Sequence, residues 1–251
     1  MSRVGVLRFA ATVATDIRLQ HRNGFYYAVA FVLAVFAIVI TALPVFDWSL
    51  WLPALLFGNL VMVSFFFIGG LILLEKTEGT LEAQVVTPLR LREYLGSKLL
   101  TLVALSLAEN LIVVLLVLKA GMPDDSGYRA LPLAPILLLG LGIATAAVLY
   151  TLFGFMTVAR YDSINEFLLP ATFIVTALSL PYLGYFDFWT SPLLYLHPLQ
   201  GSLVTMKAAF FPVPQPALWA GAVSTLAWIA IAYGLSRRAF RRFVIQKEGA
   251  H

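Results

Sequence analysis

Residues 50 to 74 read LWLPALLFGNLVMVSFFFIGGLILL, twenty-five positions without one Asp, Glu, Lys or Arg. About 20 apolar residues in an α-helix cross a hydrocarbon core of about 30 Å, and a helix satisfies all its backbone polar groups within one segment. This stretch therefore reads as a membrane span. Comparable stretches lie at 24–46, 99–118, 133–158, 164–184 and 216–235. The chain is accordingly expected to be an all-α integral membrane protein: one transmembrane domain over residues 1–251 with six transmembrane helices. Composition agrees, since 61% of the 251 residues are hydrophobic and 12% charged, against about 25% charged in a soluble domain. Twenty-three residues precede the first span and no small-residue cleavage site follows it, so it is expected to be retained.

The net charge of +4 is explained by where the charges fall. Fourteen of the seventeen Lys and Arg residues lie in segments that alternate spans place on one side, together with both termini. Short cytoplasmic loops carry such an excess, so both termini are expected in the cytoplasm, in the plasma (inner) membrane, and nucleic acid is not expected as a partner. Before the first span, Val6, Phe9, Val13 and Ile17 recur at helical spacing while Arg8, Arg18 and Arg22 occupy other sectors. This predicts an interfacial helix over 1–23 whose arginines meet membrane lipid. Residues 185–215 are apolar enough to resemble a seventh span, but a full crossing would put Arg237, Arg238, Arg241, Arg242 and Lys247 outside. Pro192, Pro198, Gly201 and Lys207 also interrupt the stretch, so a re-entrant pair of outer helices is expected, with Tyr182, Tyr185, Phe186, Phe188 and Trp189 at the outer interface. The tail is 236–251.

Chemistry is limited by what is missing. The chain has no cysteine and no Gly-x-x-x-x-Gly-Lys-Ser/Thr loop, and His21, His197 and His251 are far apart. No catalytic residue, no metal site and no cofactor is expected, and His197 reads as a hydrogen-bonded residue of the outer segment. Glu109, beside Asn110, stands halfway along the third span, where a charge costs about 2.5 to 3.5 kcal/mol on insertion scales. It must face the protein interior. Two roles stay open to it: a place on a substrate or proton path, or a hydrogen bond to a neighbouring helix. Asp162 and Glu166 read as boundary residues at the start of the fifth span, Glu166 as an acid in its first turn.

The segment 75–98 carries the functional signal. Gly79 permits a sharp turn on leaving the membrane, and a short helix can run from Thr80 to about Val86 with Leu81 and Val85 on one face and Glu78 and Glu82 on another. Thr87 can cap a new helix with Pro88 in its first turn, feeding the third span. The pattern Glu75-x-x-x-Gly79-Thr80-Leu81-Glu82, then Thr87-Pro88, then Glu93-Tyr94-Leu95-Gly96-Ser97-Lys98, resembles the cytoplasmic loop of type 2 ATP-binding-cassette transporter permeases. The order of spans resembles that family over essentially the whole chain. Among its members the chain looks most like small bacterial drug-export subunits, including the fluoroquinolone-export type. The resemblance implies an ATP-driven exporter of a hydrophobic or amphipathic compound in which Glu78, Gly79, Thr80, Leu81, Glu82, Val85, Thr87 and Pro88 couple to a separate ATP-binding subunit. It implies as well a second permease copy or paralogue, with the transport path at the dimer interface. The alternatives are an ion-coupled secondary transporter using Glu109, or a membrane scaffold.

Overall fold

The computed structural model describes residues 3–43, 47–80, 90–121 and 133–242. Among these there is no strand, and six helices are long and apolar enough to cross a bilayer. They are α2 (Phe25–Ala42), α3 (Trp48–Thr77), α4 (Leu91–Lys119), α5 (Leu133–Val158), α6 (Ile164–Tyr185) and α8 (Gln215–Phe240). Helix α1 (Arg3–Arg22) precedes them, and α7 (Gln200–Lys207) lies between α6 and α8. Gly24, at φ +81°, makes the turn from α1 into α2, a conformation that costs a side-chain-bearing residue about 1–2 kcal/mol.

Burial separates the spans into two sets. In α3, α4 and α5, 61%, 44% and 50% of the apolar window is enclosed, against 17%, 22% and 17% in α2, α6 and α8. The first three form the centre and the others its flanks. Helix α3 passes through a π-helical stretch, Val61–Phe66, where its backbone approaches α5: a Cβ at Gly154 would stand 2.6 Å from the Phe65 carbonyl oxygen. Aromatic rings fill the space around it. Phe57 meets Tyr150 and Tyr182 edge-on at 5.5 and 5.3 Å, and Phe65 stacks on Phe167 at 6.2 Å. Such pairs add about 0.5–1.5 kcal/mol beyond their buried area.

The segment after α6 holds only short helices. A 3₁₀ turn, Pro192–Leu196, leads to α7, whose eight residues span about 12 Å and are too short for a crossing. Helix α7 lies directly against α8, where a Cβ at Gly201 would collide with the Gly221 carbonyl and Thr225 Oγ1, and against α5, where Gly142 meets Met206 and Ser202. The irregular backbone is satisfied by side chains: Ser224 Oγ donates to Tyr195 O (2.5 Å), Trp228 Nε1 to Leu196 O (2.8 Å) and Lys207 Nζ to Tyr185 O (3.1 Å). These bonds give partners to carbonyls that the irregular backbone leaves without a helical donor. Of the aromatic cluster read as interfacial, Phe188 and Trp189 are exposed, whereas Tyr185 is buried and donates to Leu50 O (2.6 Å) and Tyr182 to Ala54 O (2.7 Å).

Candidate functional site

The face that carries residues 75–98 is organised by the way α3 ends. Gly79 follows its last turn at φ +67°, with its N–H donating to Lys76 O (3.2 Å) and that of Glu78 to Leu74 O (2.9 Å). Glycine takes this left-handed C-cap without Cβ strain. Thr80 Oγ1 donates back to Glu75 O (3.2 Å). Leu81, Glu82, Val85, Thr87 and Pro88, expected to form the contact face and the helix break, lie outside the described residues. The chain is described again from Arg90, whose N–H donates to Glu93 Oε2 (3.1 Å) as the start of α4. Capped there, α4 runs unbroken from Leu91, eight residues before the apolar stretch at 99, so Arg92 and Glu93 belong to the spanning helix itself.

Next to the described ends of α3 and α4 lies a buried ion cluster. Lys98 of α4 bonds Asp16 of α1 and, at 2.5 Å, Glu75 Oε1 of α3; all three side chains are 1% exposed or less. Tyr94 Oη donates to Glu75 Oε2 (2.6 Å) and Ser97 Oγ to Asp16 Oδ2 (2.5 Å). Each of the four carboxylate oxygens thus receives a donor, and the ammonium also lies 4.8 Å from the Tyr94 ring centroid. Two carboxylates around one lysine carry a formal charge of −1, which the two hydroxyl donors moderate. Three helices are therefore bound at one point, four residues before Gly79.

Further contacts extend the anchor. Arg22, at the end of α1, donates to both oxygens of Glu78 (2.8 and 2.6 Å), and Gln20 Nε2 donates to Thr101 Oγ1 (2.9 Å). Lys76 reaches the connection between α5 and α6, donating to Tyr161 O (2.6 Å) and pairing with Asp162 (3.2 Å). Asp162 is thus a partner of α3, and Glu166 sits in the first turn of α6 with its N–H donating to the Ser163 cap (3.4 Å).

Glu109 and Asn110 lie eleven residues beyond Lys98, about 16 Å along α4, and do not join this cluster. Both are buried. Asn110 accepts from Asn59 of α3 (3.3 Å) and donates to Ser106 O (2.8 Å), while Ser106 and Ser64 share a hydrogen bond of 2.9 Å beside the π-helical stretch. Neither Glu109 oxygen has a hydrogen-bond partner of good geometry, and Asn59 is the polar group close enough to interact with it. Elsewhere, α5, α6 and α8 diverge around a cavity of ≈ 460 Å³, lined by Phe153, Met156, Ile174 and Trp228 with Arg160 and His197 among its polar groups.

Residues 7–248 match the model of the fluoroquinolones export permease protein family. The chain belongs to that family. Two curated proteins of Mycobacterium tuberculosis, from strains CDC 1551 / Oshkosh and ATCC 25618 / H37Rv, are each 33% identical over 246 residues, covering 96% of this chain and 98% of the relative. Both are called fluoroquinolones export permease proteins.

In this permease, sequence reasoning quoted Glu75 and Lys98 only within a motif and gave Asp16 no part, so it missed that the three meet. The signal was present: Asp16 is the lone acid of α1, and Lys98 the lone lysine in the first turns of α4. Isolated charges of opposite sign beside membrane spans predict one another as partners.

Proposed function

We propose that this permease is the membrane part of an ATP-driven exporter that carries amphipathic, drug-like molecules outward, with both termini cytoplasmic and the loop 78–88 seated on a separate ATP-binding subunit. The observation that carries the reading is the buried Asp16–Lys98–Glu75 cluster, four residues before the glycine at which α3 ends. A partner pushing on a loop moves the spans only if the base of the loop is rigid, and this cluster makes α1, α3 and α4 one body. The cavity of ≈ 460 Å³ supports a drug-sized cargo, whose sites run about 300–1,000 Å³. The names of the relatives support a fluoroquinolone or a compound of similar character as that cargo.

A second copy or paralogue is part of the same reading. Along α6, Thr172 and Thr176 are exposed among Leu168, Leu169 and Phe173, and each hydrogen-bonds its own helix backbone. Small hydroxyl residues are common where membrane helices meet. The experiment replaces Leu81 and Val85 with Asp together and measures co-purification of an ATP-hydrolysing protein expressed with the permease from its native operon, and its hydrolysis in lipid. Loss of both with the spans intact is expected, because such side chains contribute about 1.5–3 kcal/mol each when enclosed by a partner. Binding and stimulation at wild-type levels would sink the coupling role. Ion coupling through Glu109 is the second reading, favoured by a buried carboxylate with no hydrogen bond of good geometry and only Asn59 close enough to interact.

A further inference from the structure

Gln200, Leu203, Val204 and Lys207 recur at i, i+3, i+4 and i+7 and so share one face of α7. That face lines a cavity of ≈ 200 Å³, which the first turn of α8, with Pro214 and Ala217, closes on another side. Two features make its interior favourable to an anion, and a third calls for a hydrogen-bond donor on the same occupant. Lys207 brings a cation, held by a hydrogen bond to Tyr185 O at 3.1 Å. Its ion pair with Asp187 is long, 3.9 Å, and that carboxylate is 73% exposed, so the ammonium is only partly neutralised and a second anion competes with that carboxylate for it. Helix α8 starts here, 26 residues long with no side-chain cap; Pro216 has no N–H and those of Ala217 and Leu218 donate to Pro214 O, so what it offers an anion is the positive end of its dipole and not a set of free N–H groups. Gln200 is 7% exposed, yet its Oε1 has no hydrogen-bond partner.

A buried amide oxygen without a donor costs about 1–3 kcal/mol, so an occupant that supplies one is favoured. The chemistry that matches all three features is an oxyanion on Lys207 and the α8 N-terminus, with a hydroxyl or ammonium reaching Gln200. Phosphate esters of lipid headgroups have it, and so do soluble carboxylates and phosphates. Size decides between a headgroup and a whole cargo molecule: ≈ 200 Å³ is below the range for drug-sized ligands, and it suits a polar headgroup whose acyl chains stay outside. We propose that this cavity binds the headgroup of an anionic phospholipid, fastening the segment between α6 and α8 to the leaflet it faces. The proposal rests on the orientation given under Proposed function only for which leaflet that is, the outer one.

The test uses the full-length permease in nanodiscs of phosphatidylcholine containing phosphatidylglycerol as the probe, with retained lipid counted by native mass spectrometry. Wild type is expected to keep one more phosphatidylglycerol than Lys207→Gln, with affinity about five- to tenfold apart, as one lysine near a membrane surface provides. Lys119→Gln, an exposed cation elsewhere, is the control and should retain wild-type lipid. Asp187→Asn keeps Lys207 and removes its competing carboxylate, so it should bind more tightly; this variant decides the question even if Lys207→Gln folds poorly. Equal retention in wild type and Lys207→Gln, or unchanged retention in Asp187→Asn, would overturn the site. Competition by glycerol 3-phosphate alone, with no preference for phosphatidylglycerol, would overturn the lipid and leave a soluble anion. A cysteine placed at Ser191 in this cysteine-free chain reports orientation separately: labelling from inside alone would move the site to the other leaflet without touching the lipid count.

Discussion

Replacing Lys98 with Met keeps the length of the side chain and removes its charge. Asp16 and Glu75 would then remain about 1% exposed, each with one hydroxyl donor and no cation between them. Removing one partner of a buried ion pair costs about 3–5 kcal/mol, because the charge left behind cannot return to water. Asp16→Asn is a different perturbation, since Lys98 and Glu75 stay together as a neutral pair. Its cost is that of a hydrogen bond to a charged group, about 1.5–3 kcal/mol. Ordinary hydrogen bonds between membrane helices average about 0.6 kcal/mol and reach about 1.7, so a value above that range for Lys98→Met identifies charge as the cause. The triple variant Asp16→Asn, Glu75→Gln, Lys98→Met removes every charge and should recover most of the loss. Reversible unfolding in mixed micelles, followed by the fluorescence of the five tryptophans, gives these differences. The reasoning fails if Lys98→Met costs no more than Asp16→Asn, or if the triple variant is as unstable as Lys98→Met.

Two further outcomes follow from single residues. Leu199 N–H donates to His197 Nδ1 (3.2 Å), so the ring is neutral and Nε2 carries the hydrogen facing Ala177 O (3.1 Å). Burial, the larger influence, lowers its pKa below 6.5 despite the Ala177 contact. The unfolded chain therefore takes up this proton first as pH falls. The contribution of His197 to stability is full above about 6.5 and declines below it toward the folded pKa. Melting in detergent from pH 7.5 to 5.5 should show that decline, and His197→Gln should reduce it. Glu109→Gln removes ionisation while keeping shape, so a directly ATP-driven exporter should transport within about twofold of wild type, a change of about 0.4 kcal/mol in barrier. Lost transport with intact folding and intact ATP hydrolysis would instead favour ion coupling.

The six spans were legible because length and apolarity alone decide them; residues 50–74 need no knowledge of their neighbours. Their ends were less legible. Helix α4 begins at Leu91 because Glu93 turns back to the Arg90 N–H, a local hydrogen bond that overrides the polarity separating 91–98 from the apolar run.

The rotation of α1 shows why the site itself was harder to read. Its apolar positions Val6, Phe9, Val13 and Ile17 read as a stripe for the membrane interface; Val6 and Ile17 are exposed, Phe9 and Val13 half-buried, and the fully buried sector holds Gly5, Asp16 and Gln20. In water the apolar stripe would seek the core. Beside a bilayer the apolar stripe finds an equally good solvent in lipid, and the polar groups find partners only inside the protein, so the usual sign of amphipathicity is reversed. Asp16 and Gln20 then meet Lys98 and Thr101, three residues apart on α4, just as Asp16 and Gln20 are four apart on α1. Matching polar positions at helical spacing on two helices are thus the readable mark of their contact. The same logic places Glu75 between them, one turn before the glycine that ends α3, where a charged contact fixes the root of the loop most firmly.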